Sequence, residues 1–252
     1  MIVEYLVRGV KAGVVAGLLF GLLLALVANP VLGYADGLGH ESEPHDHEEP
    51  TATQHDSLVS LSNGISVVSG VLWGVLLGAV GFGVAFYFLE PIVPGSGPVK
   101  SYVFATAGFL TTSAAPWLAV PPAPPGTVHP LGVQTRLLLY GGMMLAGAVA
   151  VVTSMLLYGR LQANSDLATP IAVAGGLVPV VALPVVASAL PADQTTVTVP
   201  ATLADGAVGL TIFGQVLLWV TLAVAHARLS GEDARDHATG DVGHAGHGTG
   251  GD

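Results

Sequence analysis

Long blocks of apolar residues alternate with polar connections along this chain of 252 residues. The apolar positions follow neither the period-2 pattern of a strand nor the one-sided spacing of a surface helix. A helix that is apolar on every side belongs in lipid or in a large core. Six blocks have about the length of a membrane span, at 7–27, 67–89, 103–120, 137–158, 168–190 and 207–225. We therefore predict an all-α integral membrane protein, a bundle of about six transmembrane helices within 1–229.

The first and fifth blocks differ from the others, the first by its position at the amino end and the fifth by its prolines. A signal peptide could explain the first block, but its apolar core exceeds the roughly 7–15 residues of a signal sequence, and five further blocks follow. We favour a retained span.

The fifth block contains Pro170, Pro179 and Pro184. Because proline removes a backbone donor and clashes with the preceding turn, we expect a kink there.

Glycines recur every fourth residue in the first two blocks. They are Gly13, Gly17 and Gly21, and Gly70, Gly74 and Gly78. Spacing by four places each set on one helix face, where the absence of side chains lets two backbones approach closely. We predict that these faces are packing seams rather than the lining of a pore.

Composition agrees with a membrane protein. Charged residues make up only 10% of the chain, hydrophobic residues 52%, and the mean hydropathy is +0.69. The net charge of −10 argues against nucleic acid as a partner, so the lipid bilayer is the first expected partner. The chain has no cysteine, so a metal site would need imidazole, carboxylate, carbonyl or thioether ligands.

The basic residues predict an orientation in the cell (plasma) membrane. With six spans, one side of the membrane receives Arg8, Lys11, Lys100, Arg160, Arg228 and Arg235, and Arg136 lies opposite. Because cytoplasmic connections are enriched in Lys and Arg, both termini are expected to be cytoplasmic. The connection after the first span is then external.

This external connection, 33–60, is rich in histidine and carboxylate, and we expect it to be disordered. Its candidate metal ligands are His40, His45, Asp46, His47, Glu48 and His55. Neutral imidazole binds borderline divalent ions, and neighbouring carboxylates add charge and hydrogen bonds. A flexible segment of this kind favours capture and release of metal over tight storage. The alternative is a solvated acidic connection whose histidines have no role.

Two further segments contain candidate metal ligands. The tail, 230–252, carries His237, His244 and His247 among glycines and aspartates, and we expect it to be flexible. The proline-rich connection from Pro121 to Gly132 carries His129. Its stiffness could hold that imidazole near a pore mouth, or it could simply end two helices.

The predicted spans contain no Asp, Glu, Lys, Arg or His well inside them, so they give no sign of a proton relay. Polar side chains near their ends are Asn29, Glu90, Arg136, Gln215 and His226, and the fourth span contains the thioethers of Met143, Met144 and Met155. We interpret these as interface anchors or packing residues. The chain also lacks the HExxH, GxSxG and P-loop motifs, and we do not expect an enzyme.

The order of motifs resembles the CbtA family, whose members are predicted permease subunits of cobalt transporters. The resemblance rests on Asn29-Pro30, Phe88–Pro91, Pro116–Gly126, Arg136, Tyr140, Thr169-Pro170, Gln215 and Trp219. It covers most of the chain, and the Pro-Pro-Gly segment followed by Arg136 and Tyr140 is its most specific part. The family carries Lys-Tyr where this chain has Ala119-Val120, and asparagine in place of Ala123.

The resemblance implies cobalt uptake, cobalamin biosynthesis and a small single-span His-rich partner subunit. The leading hypothesis is a permease subunit for a divalent transition metal, Co or alternatively Ni or Zn, with no tightly bound cofactor. Imidazole and carboxylate ligands hold Ni, Cu or Zn at least as well as Co. The alternative is a non-transporting membrane scaffold or a metal-sensing regulatory subunit. A homo-oligomer is left open.

Overall fold

A computed structural model describes residues 2–30, 52–124, 127–163, 168–191, 196–197 and 200–245, without the side chains of 52–61, 168–169, 197 and 232–245. Helices dominate this described part, and we number them α1 to α6. Helix α1 is α-helical over Ile2–Leu23 and π-helical over Leu24–Ala28. Helix α2 is α-helical over Ala52–Leu77, π-helical over Gly78–Ala85 and α-helical over Phe86–Leu89, before a 3-10 turn at Glu90–Ile92.

The remaining four helices follow after short connections. Helix α3 comprises Pro98–Phe109, a π-helical Leu110–Ala114 and Ala115–Trp117. Helix α4 is Val133–Ala163, α5 is Ala168–Val181 with a continuation at Leu183–Ser188, and α6 is Ala201–Ala245. The interruption of α5 at Ala182, just before Pro184, agrees with the kink expected from its prolines.

Five of the described helices are long and apolar enough to cross a membrane. They are Ile2–Ala28, Ser62–Ile92, Val133–Ala163, Pro170–Ser188 and Ala201–Gly231. Helix α3, predicted as the third span, is not among them, because its serine, threonine and lysine side chains lower its hydropathy. The protein is thus an all-α, multi-pass membrane protein.

Helices α1 and α2 pack through their glycine faces, as predicted. A Cβ atom added at Gly17 would lie 2.5 Å from the carbonyl oxygen of Gly70, and one added at Gly74 would lie 2.5 Å from Cα of Gly17. The same contact pairs Gly21 with Val67. Residue numbers rise along α1 as they fall along α2, so the two helices are antiparallel. Their backbones touch, and the packing role of the glycines is confirmed.

Helix α6 is antiparallel to both α1 and α3. Along α3 the contacts run from Ser101 with His226 to Gly108 with Trp219. Along α1, Arg8 contacts Ser230 near the start of the helix. A Cβ atom added at Gly214, farther back on α6, would lie 3.0 Å from the ring of Phe20.

The bundle has two distinct ends. One end carries the start of α1, the turn between α2 and α3 and the stretch of α6 around Ser230; we call it the termini end. At the other, the loop end, β1 (Thr127–Val128) in the α3–α4 connection pairs antiparallel with β2 (Thr196–Val197) in the α5–α6 connection. The amide of Asn29 also donates to Asn63 Oδ1 at the loop end, at 2.9 Å.

Helices α2 and α6 extend furthest beyond the predicted boundaries. Helix α2 begins at Ala52 instead of 67, so the last part of the segment predicted as disordered, 33–60, has helical backbone. Helix α6 continues to Ala245, although the predicted span ended at 225 and a flexible tail was expected from 230. Polar residues can extend a helix past the apolar block that hydropathy detects.

Candidate functional site: a polar line between helices α3 and α6

A histidine lies in the core of the bundle. His226 on α6 has no exposed surface, and its ring lies 4.7 Å from that of Phe82 and 5.0 Å from that of Phe86, centroid to centroid. Its Nδ1 is 2.9 Å from Oγ of Ser101 on α3, which is 1% exposed. Which of the two atoms donates depends on the imidazole tautomer. This is a buried polar pair inside an apolar bundle.

Helical periodicity explains why α6 presents His226 to α3. Gln215, Trp219, Leu222, His226 and Ser230 recur at intervals of three or four residues and therefore share one face. Leu222 is fully buried and Trp219 is 5% exposed, so this face points into the bundle.

At the termini end, a cavity of about 340 Å³ opens beside this pair. Its lining includes the charged side chains of Arg8, Glu90 and Lys100 and the hydroxyl groups of Ser101 and Ser230. Because Ser101 lines the cavity and also contacts His226, the imidazole lies directly behind the cavity wall. Polar side chains therefore extend from the core to this end of the bundle.

Glu90 is the centre of the hydrogen bonding in the cavity. The hydroxyl of Tyr5 donates to Glu90 Oε2 at 2.5 Å. Lys100 Nζ lies 3.4 Å from Glu90 Oε1 and donates to the Glu90 carbonyl oxygen at 3.2 Å. The α2–α3 turn makes this possible, since Gly95 and Gly97 adopt positive φ angles of 100° and 50° and reverse the chain.

Arg8 also lines the cavity. Its Nη1 donates to Ser230 Oγ at 3.3 Å, and its guanidinium carbon lies 5.5 Å from the ring centroid of Tyr5. Ser230 in turn donates to the carbonyl oxygen of His226 at 2.8 Å, one turn earlier on α6. The cavity wall and the buried histidine are therefore connected through α6 as well as through Ser101.

Towards the loop end, Trp219 follows His226 along the interface. Its indole packs on Gly108, where a Cβ atom would lie 3.1 Å from Cε3 of the ring. The indole Nε1 is buried without a hydrogen-bond partner in the described part of the chain. Beyond it, Ser113 Oγ donates to Gln215 Oε1 at 3.4 Å. The Ser101–His226 pair thus lies on one side of the Trp219 ring along the interface, and the Ser113–Gln215 pair lies on the other.

Most metal ligands predicted from the sequence lie where the structure gives no side-chain description. His40, His45, Asp46, His47, Glu48 and His247 lie outside the described residues. His55, His237 and His244 lie on helical backbone whose side chains are not described, and His129 is half-buried between β1 and α4. Among the side chains that the structure describes, no three His, Asp or Glu residues are grouped to hold a metal ion.

The expectation that no ionisable residue lies well inside a span stays a prediction, since His226 and Glu90 lie near the ends of the candidate spans Ala201–Gly231 and Ser62–Ile92. His226 was predicted to be an interface anchor or a packing residue, and its complete burial agrees with packing. Its place in the core was not predicted, because the sixth span was expected to end at 225. The seven-residue spacing from Trp219, which matches two helical turns, was the available signal of a shared buried face.

Comparison with curated proteins and with solved structures yields no significant match. The profile of one protein family, described as probable cobalt transporter subunit (CbtA), matches residues 2–231. This match extends over α1 to α5 and over α6 as far as Gly231, so it includes the Ser101–His226 and Ser113–Gln215 pairs. The chain therefore belongs to the CbtA family of cobalt transporter subunits.

Proposed function

We propose that this cobalt transporter subunit is itself the permease and that Co²⁺ crosses along the interface of α3 and α6. The observation that carries the proposal is the fully buried His226 with its partner Ser101, next to a cavity that opens at one end. Ionisable groups at membrane depth that face the bundle interior commonly mark ion pathways.

The chemistry of the pair suits transient binding. Imidazole nitrogen is a good ligand for Co²⁺ and for neighbouring metals such as Ni²⁺ and Zn²⁺. A single imidazole with one hydroxyl leaves most coordination positions to water, so the ion is held weakly. Conduction requires this, because a site that binds too tightly does not release.

We further propose that all six helices cross the membrane, with both termini in the cytoplasm. Two observations support this. Helix α6 is antiparallel to α1 and α3, as six alternating crossings require, whereas five crossings without α3 would make α1 and α6 parallel. The connections joined by β1 and β2 would also share one face. The cavity would then open to the cytoplasm, on the side with most basic residues.

Segments outside the bundle would also take part in the proposed uptake. The external connection 33–60 would gather the metal through His40, His45, His47 and His55. A small single-span His-rich subunit would assist, and the imported cobalt would serve cobalamin biosynthesis. This part rests on family membership and on the composition of the connection.

The test is uptake of labelled cobalt by vesicles that contain this chain, with and without its partner subunit. We expect uptake that depends on this chain and falls at least about tenfold in His226→Ala, because removal of the only ligand nitrogen of the pair leaves the ion in an apolar core. Thr211→Ala is the control on the same helix, because the Thr211 hydroxyl is exposed and donates to the Ala207 carbonyl oxygen. If metal binds but does not accumulate inside the vesicles, the chain is a scaffold or metal-sensing subunit and the permease proposal fails.

A further inference from the structure

We infer that a groove between helices α3, α4 and α5 binds one acyl chain of an anionic membrane lipid, whose headgroup lies at the termini end. The groove has a volume of about 530 Å³ and opens on the outer surface of the bundle. Two of its lining residues on α5, Val173 and Leu177, are 45% and 52% exposed. The inference requires the bundle to lie in a membrane and is independent of cobalt transport.

The groove exists because α3 and α4 touch at the loop end and are separated towards the termini end. At the loop end, the hydroxyl of Tyr140 donates to the carbonyl oxygen of Thr112 at 2.7 Å. Farther along the two helices, side chains between Val99 and Leu110 on α3 and between Val151 and Tyr158 on α4 line a gap instead. Helix α5 packs on α4 and forms the third wall.

The surface of the groove is apolar. On α3 its apolar and aromatic lining residues recur at intervals of three or four and share one helix face; they are Val99, Tyr102, Val103, Ala107 and Leu110. Each serine or threonine hydroxyl in the lining donates to a backbone carbonyl oxygen one turn earlier on its own helix. The groove therefore offers mainly carbon atoms, which suits a hydrocarbon chain.

The length of the groove matches one leaflet of a bilayer. Val99 and Leu110 are eleven positions apart, which corresponds to about 16 Å along a helix. This is roughly half of the hydrocarbon thickness of about 30 Å. A transmembrane helix of another protein would cross both leaflets, but α3 and α4 close the groove in the other half of the bundle. An acyl chain, which ends near the middle of the bilayer, fits it.

Basic side chains flank the termini end of the groove. Lys100 directly follows Val99, and the exposed Arg160 lies two residues after Tyr158, in the last turn of α4. Lys100 forms an ion pair with Glu90, and that pair is neutral as a unit. Arg160 therefore supplies the net positive charge at the mouth of the groove. Basic groups between transmembrane helices bind anionic lipid headgroups in this way.

The test is titration of the purified full-length chain in detergent with phosphatidylglycerol and, separately, with phosphatidylcholine, with bound lipid counted by native mass spectrometry. We expect one tightly bound phosphatidylglycerol per chain. Val173→Trp fills the groove and should weaken the binding of both lipids at least about tenfold. Val185→Trp is the matched control, because Val185 is on the same helix, is 72% exposed and lies outside the groove.

The headgroup is tested separately from the acyl chain. Arg160→Gln should weaken binding of phosphatidylglycerol about fivefold and leave phosphatidylcholine unaffected. Arg228→Gln is the control, because Arg228 is an exposed basic residue of α6 outside the groove. Equal affinity of the wild type for the two lipids would overturn the inference, as would unchanged lipid binding in Val173→Trp. If Val173→Trp retains lipid but no longer co-purifies with the partner subunit, the groove receives a protein helix and the inference is wrong.

Discussion

A histidine surrounded by phenylalanine rings needs a hydrogen-bond partner, since an unpaired polar group in an apolar core costs about 1–3 kcal/mol. Ser101 provides that partner for Nδ1 of His226. The hydrogen bond fixes the ring plane with either imidazole tautomer, because the serine hydroxyl can donate or accept. Ser101 is therefore expected to act as a positioning residue for the imidazole.

Ser101→Ala should reduce cobalt uptake several-fold and change its dependence on pH, because the imidazole loses the group that orients it. Uptake is measured from about pH 5.5 to about pH 8, a range that brackets the ordinary titration of imidazole. Thr106→Ala is the control on the same helix, since the Thr106 hydroxyl donates only to the Tyr102 carbonyl one turn earlier. Equal pH profiles for Ser101→Ala and the wild type would count against positioning, while rescue in Ser101→Thr would support it.

Trp219 separates the two polar pairs of the α3–α6 interface. Its ring packs on Gly108 between them, and its buried Nε1 lacks a partner among the described residues. We predict that Trp219→Leu allows cobalt to leak down its gradient through liposomes that lack the partner subunit. Trp73→Leu is the control, because Trp73 is 47% exposed. Liposomes that stay tight with Trp219→Leu would show that the ring does not close the path.

At the residue scale, sequence could locate polar side chains but not pair them. The association of Ser101 with His226 depends on the register of α3 against α6, which no local pattern encodes. The prediction also ended the sixth span one residue before His226, because hydropathy falls where charged residues begin. Histidine and carboxylate residues are concentrated in the polar segments between and after the spans, so the predicted metal ligands lie there and do not include His226.

At the scale of helices, the sequence alone predicted the glycine faces of α1 and α2, because a four-residue spacing places residues on one face of a single helix. Their pairing with each other does not follow from either helix alone, but two smooth faces on neighbouring spans favour it. Element boundaries were less predictable. Helix α2 starts at Ala52 and α6 ends at Ala245, in stretches too polar to be recognised as spans.

Gly74→Leu should destabilise the bundle, because a side chain there would collide with the backbone of Gly17. The control is Gly81→Leu on the same helix, where an added Cβ atom meets nothing within 4 Å. Overpacking of a tight contact costs typically about 1–3 kcal/mol. We expect lower yield, aggregation and earlier thermal unfolding in detergent for Gly74→Leu alone. Matching behaviour of the two variants would argue against a packing role.

The external connection should tune the apparent affinity for metal and leave the maximal rate of uptake unchanged. Replacement of His40, His45, His47 and His55 by alanine should weaken uptake at scarce cobalt only. Since imidazole in water has a pKa of about 6.5 and binds metal when neutral, the advantage of the wild type should fade below about pH 6. Initial rates across cobalt concentration and pH test this. If the wild type and the fourfold variant give the same rates at every concentration and pH, the connection is only a solvated acidic segment and does not capture metal.

For the molecule as a whole, the proposed topology places Ser42 and Ser165 on opposite faces of the membrane. Cysteines introduced at Ser42 and Ser165 should react with an impermeant thiol reagent from the outside and the inside of cells, respectively. The native chain has no cysteine, so each variant reports one site. Labelling of both positions from one face would contradict six alternating crossings.

The backbone contact between α1 and α2 has a mechanical consequence for the transport cycle. Side chains that interdigitate can change rotamer and slide, but the paired glycines leave no such freedom at this seam. In the proposed permease, the two helices would therefore form a single rigid unit. Movements that open and close the path would fall to the α3–α6 interface, where the helices meet through small polar groups and one indole ring. The proposed transport cycle would thus have one fixed wall and one moving wall.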